Sequence, residues 1–236
     1  MYNENFRKLV EECSNDTYIG RGNPNAKILF VGQEYSKPNE NAEFDAKYWK
    51  DKIAKNERVY LKHLKRKEDK GQHTWKIYQK LYDFIFEKES TNEFDFEEEV
   101  FTTEMNDNPA LKNIDAQKRK DFKINLQNRK NTFINSDFIK QFPVVVLACS
   151  HYITPNEFCE IFDVEFLPQG KKYPNDDSNS MTNHFWTHYN KNGNEPKLVI
   201  HTQQLSGYIS KDFLETMGKV IREFLQNNTT ISKESL

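Results

Sequence analysis

Four polar groups follow four short apolar runs, and together they could break a bond by hydrolysis. Glu34 comes after the run at residues 27–31, and Glu104 and Asn106 after residues 100–103. His151 follows residues 144–148, and His201 follows residues 198–200. A carboxylate can orient water or steady a developing cation, while an imidazole can donate a hydrogen bond to a leaving group. Gathered on one rim, with Glu104 and Asn106 as alternatives at the second position, these groups suit a hydrolytic site.

The elements that would hold them there are legible from periodicity. Short continuous apolar runs suit strands buried on both faces, as in a parallel sheet. Stretches between them carry helical spacing: Phe6, Leu9, Val10 and Cys13 within residues 2–14, then Trp75, Tyr78, Leu81, Tyr82, Ile85 and Phe86. Phe213, Met217, Val220, Ile221, Phe224 and Leu225 mark a third helix near the end. Strands alternating with helices predict an α/β fold, a three-layer α/β/α sandwich around a central, mostly parallel four-stranded sheet. In such sheets ligands bind beyond the carboxyl ends of the strands, where the polar groups stand. A single domain is expected over residues 1–226, followed by a polar, fraying tail at 227–236. Residues 37–72 and 168–196 read as loop-rich insertions.

Composition narrows the classes. The 236 residues include 14% aromatics, among them 18 Phe and 11 Tyr, which argues against disorder. The longest apolar run, residues 144–149, is far short of the roughly 20 residues of a membrane helix. The first residues show no signal-peptide pattern, and three scattered cysteines form neither a disulfide framework nor a four-cysteine metal site. A reduced, cytoplasmic monomer without metal or cofactor is expected. Net charge is only −2, but residues 47–70 and 112–130 are basic and 87–99 acidic, so a local positive face could meet phosphates.

Competing motifs are weaker. Gly20-Arg21-Gly22 precedes its strand and lacks the third glycine of a dinucleotide fingerprint. Cys149 beside His151 fits a buried, inert thiol better than a nucleophile. His184 and His188 could bind a metal only on a helix, and ordinary packing or a nucleic-acid-facing loop suits their aromatic surroundings as well.

The segment Gly20-Arg21-Gly22-Asn23-Pro24-Asn25-Ala26, running through Ile28-Leu29-Phe30-Val31 to Gly32, resembles the opening segment of the uracil-DNA glycosylase superfamily. Gly32-Gln33-Glu34-Tyr35 is similar to its water-activating motif, and His201-Thr202-Gln203-Gln204-Leu205-Ser206 to its base-contacting and duplex-wedging loop. The resemblance spans about residues 18–225 at the level of motifs. It implies a base-excision DNA-repair hydrolase that flips a deaminated base out of single- or double-stranded DNA and cleaves its N-glycosidic bond. By that match Glu34 positions water and His201 stabilises the departing base. Gln33 and Asn106 contact the base, and Tyr35 stands near the position that excludes thymine. Phe44, or else Tyr48 or Trp49, stacks on the base, Leu205 enters the vacated stack, and Ser206 holds phosphate. No iron–sulfur cluster is implied, since the cysteines are unmatched. Departures from the family pattern are Glu34 in place of Asp, the missing proline after it, and Thr202 and Gln204 in place of two prolines. They leave two alternatives: a nucleic-acid-binding module of this fold without catalysis, and a hydrolase of a small nucleoside-like ligand.

Overall fold

The computed structural model describes residues 2–34, 44–57, 73–89, 93–108, 113–166, 172–173, 184–190, 195–207 and 209–234. In chain order the elements are α1 (Glu4–Glu12), β1 (Arg21–Gly22), β2 (Ile28–Glu34), α2 (Ala46–Ala54), α3 (His73–Phe86) and β3 (Val100–Asn106). Next come α4 (Asn113–Gln117), α5 (Phe122–Arg129), α6 (Asp137–Lys140), β4 (Val144–Leu147) and α7 (Pro155–Phe162). Then follow β5 (Lys172–Tyr173), β6 (Phe185–Tyr189), β7 (Leu198–Thr202) and α8 (Lys211–Glu234). The protein is thus mixed α/β.

The strands form one seven-stranded sheet in the order β1-β3-β2-β4-β7-β6-β5. The four apolar runs are its consecutive centre, β3-β2-β4-β7, and every pairing among them is parallel. The expectation of four strands is therefore corrected to seven. β1 adds antiparallel to β3, and β6 and β5 add antiparallel beyond β7.

The extra strands escaped the sequence reading for physical reasons. β1 is two residues long and leans on glycine. Gly20 and Gly22 adopt φ of +122° and +103°, and a Cβ at either would sit 2.1–2.2 Å from a β3 carbonyl oxygen. β6, Phe-Trp-Thr-His-Tyr, mixes polar and aromatic residues within the stretch read as an insertion. α8 runs to Glu234, into the residues read as a polar tail.

Side chains alternate across the strands, so one run feeds two cores. Leu29, Val31, Phe101, Val145, Leu147 and Val199 pack with α1, α2, α6 and α7. Ile28, Phe30, Val100, Val144, Val146, Leu198 and Ile200 pack with α3 and α8. Local signals set the helix starts. Asn3 caps α1 by accepting from Phe6 N at 2.8 Å, and Thr154 with Glu157 forms a capping box on α7, with Pro155 in its first turn. Among the described residues no helix is long and apolar enough to cross a membrane.

Candidate active site

β2 is the switch point of the sheet: the chain steps to β3 on one side and β4 on the other. A crevice is therefore expected beyond the carboxyl ends of these strands. Glu34, the last residue of β2, pairs in register with Asn106, the last of β3. Glu34 is 7% exposed, and neither carboxylate oxygen has a hydrogen-bond partner. Burial raises its pKa, while the adjacent Tyr152 hydroxyl and the Arg119 guanidinium draw it back down. That hydroxyl is itself buried without a geometrically satisfied bond.

Two residues earlier in the register, Gly32 faces Glu104. The absence of a side chain at Gly32 makes room for the Glu104 carboxyl, since a Cβ there would lie 2.1 Å from Glu104 Oε2. Burial, and then the charge of Glu34, push the Glu104 pKa up to about 8, against the opposing pull of Arg129. The rim thus holds two neighbouring carboxyl groups whose pKa values burial raises, that of Glu104 to about 8. A carboxyl group held protonated in this way can act as a proton donor.

Further polar groups converge here. Asn106 is buried with its Nδ2 unpartnered. Gln33 Nε2 donates to the Cys149 carbonyl at 3.3 Å, tying the ends of β2 and β4 together. Gln117 Nε2 donates to His151 Nε2 at 3.3 Å, bringing α4 to the same edge. The neighbouring segment presents Lys118, Arg119, Lys120 and Lys123 as exposed cations, the outward part of the basic stretch read from sequence. Its inward part is spent differently: Lys130 pairs with Glu157 at 2.7 Å, and Arg129 is buried.

His201 belongs to another neighbourhood. It faces the core that holds Phe158 and packs on the Phe158 and Trp186 rings at 5.2 and 6.3 Å. Its Nε2 lies 2.9 Å from the Ser150 carbonyl oxygen, which can only accept, so the ring proton is on Nε2 and committed to that bond. Burial lowers the His201 pKa and keeps the ring neutral. His201 lies level with Leu147 and Val31, two strands and three residues from Glu34. Strand spacing and rise put the two Cα atoms roughly 14 Å apart. No contact joins them among the described residues, so the expected single pocket flanked by Glu34 and His201 is not what the contacts form.

The remaining expected residues divide as follows. Leu205 is wholly buried in the core formed with α3 and α8, among Phe213, Leu214 and Met217. The expectation that it projects as a duplex wedge is corrected: a leucine pays for exposure in water, and here the loop turns it inward. Ser206 beside it stays partly exposed. Phe44 is half-buried against Tyr48, with the Arg21 guanidinium 4.6 Å over its ring. Trp49 is buried and donates Nε1 to the Gly20 carbonyl at 2.8 Å. Tyr35 lies outside the described residues.

His184 and His188 stand on or beside β6, not on a helix. His188 Nδ1 bonds the Glu165 carbonyl at 3.3 Å, and both ring nitrogens of His184 are buried without partners. Among the described residues no group of three or more His, Cys, Asp or Glu is placed to hold a metal ion. Sequence reasoning missed Tyr152, which the fold sets beside Glu34, and Arg119, whose charge acts on it, and it missed the role of Gly32 in seating Glu104.

No protein-family model matches the chain, and no curated protein matches it. Fold and rim together define an α/β protein with two neighbouring carboxyl groups, Glu34 and Glu104, at the switch point of its parallel strands.

Proposed function

We propose that the protein is a hydrolase of N-glycosidic bonds that releases a base from DNA, similar in kind to the uracil-DNA glycosylases. The observation that carries this reading is the adjacent Glu34 and Glu104 pair on one rim, with the Glu104 pKa pushed up to about 8. Glu34, ionised, takes a proton from water as the water oxygen bonds to C1′, and its charge steadies the oxocarbenium-like sugar. Glu104, protonated, gives its proton to the base nitrogen as the C1′–N bond breaks. The leaving-group role that the resemblance implies for His201 passes to Glu104, because the His201 N–H already serves the Ser150 carbonyl. Asn106 Nδ2, buried without a partner, would read the base edge. Lys118, Arg119, Lys120 and Lys123 offer charge to the phosphodiester backbone. The reading includes a three-layer α/β/α arrangement, supported by separate apolar clusters on the two sheet faces.

The experiment is incubation with uracil-, hypoxanthine- and xanthine-containing single- and double-stranded DNA, scored for abasic sites. Base release that Glu34→Gln abolishes supports the reading, and no release from any substrate overturns it. The burial of Leu205 favours a second reading, a hydrolase of free nucleosides, because that leucine is not exposed to fill a vacated stack. Release of base from deoxyuridine but not from DNA selects that reading.

A further inference from the structure

Beyond β4 the chain makes a turn that local preference disfavours. Ser150–Tyr152 form one turn of 3-10 helix, and Ser150, which carries a Cβ, takes a left-handed φ of +52°. An L-residue adopts that conformation at a cost, and such strain persists only where surrounding bonds over-determine it.

Hydrogen bonds supply that control here. Tyr152 N and Gln33 Nε2 both donate to the Cys149 carbonyl, at 3.1 and 3.3 Å, and His201 Nε2 donates to the Ser150 carbonyl at 2.9 Å. The carbonyls that open the turn are therefore gripped by side chains of other strands, Gln33 from β2 and His201 from β7.

The residue that the turn delivers is Tyr152. It is 1% exposed, and its ring packs edge-on against Phe122, the first residue of α5, with centroids 5.3 Å apart. Ring and backbone together fix where the hydroxyl stands, which is beside the Glu34 carboxyl, with the Gln117 amide also near it. An ionised carboxylate can only accept, so the phenol supplies the proton of a bond between them. Catalytic groups are held in productive geometry by neighbours whose own rotamers are locked by packing and hydrogen bonds. Tyr152 is locked in both ways.

We infer that Tyr152 is a positioning residue whose hydroxyl fixes the Glu34 carboxylate on the rim, and that His201 positions Tyr152 from a distance by donating its Nε2–H to the Ser150 carbonyl. That Glu34 orients water rests on the hydrolase reading; the hold of the turn on its carboxylate does not. His201 makes no contact with Glu34 among the described residues, so the effect of one on the other passes through the turn.

The test is a carbon-13 titration of the glutamate carboxyls in the full chain, with the Glu34 signal identified by its loss in Glu34→Gln. Tyr152→Phe keeps the ring on Phe122 and removes the hydroxyl, so Glu34 should titrate at higher pH than in the wild type. His201→Ala frees the Ser150 carbonyl and should shift Glu34 in the same direction by a smaller amount. His201→Gln carries an amide N–H that reaches the same carbonyl, and it should return Glu34 to its wild-type titration, which a role in packing alone would not do. Glu104 and Arg119 also interact with Glu34, but neither belongs to the turn, and these variants leave both in place. An unmoved Glu34 in Tyr152→Phe or in His201→Ala overturns the proposal, and so does a His201→Gln that behaves as His201→Ala. Should His201→Ala fail to fold, Tyr152→Phe decides alone. No substrate enters this measurement, so an absence of base release would overturn the hydrolase reading and leave this result standing.

Discussion

Two ends of the parallel sheet carry the groups that chemistry would use, and they are treated in opposite ways. At the β2–β3 end, Glu34 and Asn106 keep buried polar atoms without partners, and Glu104 holds a proton against its ordinary tendency. At the β7 end, His201 spends its one N–H on the Ser150 carbonyl and rests between aromatic rings. Buried polar groups are normally satisfied, and an exception stores a cost that a bound ligand can relieve. The contrast teaches that position at a strand end does not make a site. Unsatisfied polarity is the better guide: Glu34 and Asn106 gather it at the β2–β3 end, whereas beside β7 it falls on His184 and not on His201.

The sharpest way to break this contrast is to neutralise each end in turn. Glu34→Gln and Glu104→Gln should each slow base release by about 100-fold or more, as loss of a proton-transfer group does, whereas His201→Ala should slow it by less than about ten-fold. Single-turnover kinetics on all three variants checks the order. Equal losses at both ends would erase the distinction.

Stability should separate the β7 loop from the rim. Leu205→Ala should cost about 2–5 kcal/mol by opening a cavity in a closed core, read by urea denaturation. A wedge that stands in solvent would lose almost nothing. His201→Ala should cost less, on the order of 1–3 kcal/mol, because it strands the Ser150 carbonyl.

Acidity sharpens the comparison further. The folded pKa of Glu104, about 8, lies above its unfolded value near 4.5, so the native state holds a proton that the unfolded chain has released. Between those values the unfolded chain binds fewer protons, and stability falls as pH rises. The loss is fully developed once pH passes about 8. Glu104→Gln should flatten this slope, visible as a melting temperature that changes less between pH 5 and 8.5 than the wild type's. Base release should decline through the same region as Glu104 loses its proton. The smallest of these effects is expected from Gly32→Ala. Its Cβ displaces the Glu104 carboxyl, and the side chain can swing toward solvent, so the elevated pKa should be lost with little damage to the fold.

How much of this was legible in sequence depends on whether the signal was local. The four apolar runs gave the parallel centre, since β2 buries all seven residues and β4 all four. Helices α1, α3 and α8 follow from spacing of their apolar residues. The edge strands were hidden because β1 depends on glycines pressed against carbonyls, and β6 pairs through backbone bonds that its mixed side chains do not advertise. Glu34, Glu104 and Asn106 could be placed on the rim by their position after strands. The facing of His201 could not, because a one-residue step along β7 turns the side chain to the other core. Leu205 shows the same limit: nothing local in Gln204-Leu205-Ser206 says which way the leucine turns. The seat of Glu104 over Gly32 exists only through strand register.

The measurement that bears most directly on the account is a carbon-13 NMR titration of the glutamate side-chain carboxyls in the wild type and in Glu104→Gln. One carboxyl is expected to titrate near pH 8 in the wild type and to be missing from the variant. If every carboxyl titrates in the ordinary acidic range, the paired-carboxylate account of the rim is contradicted.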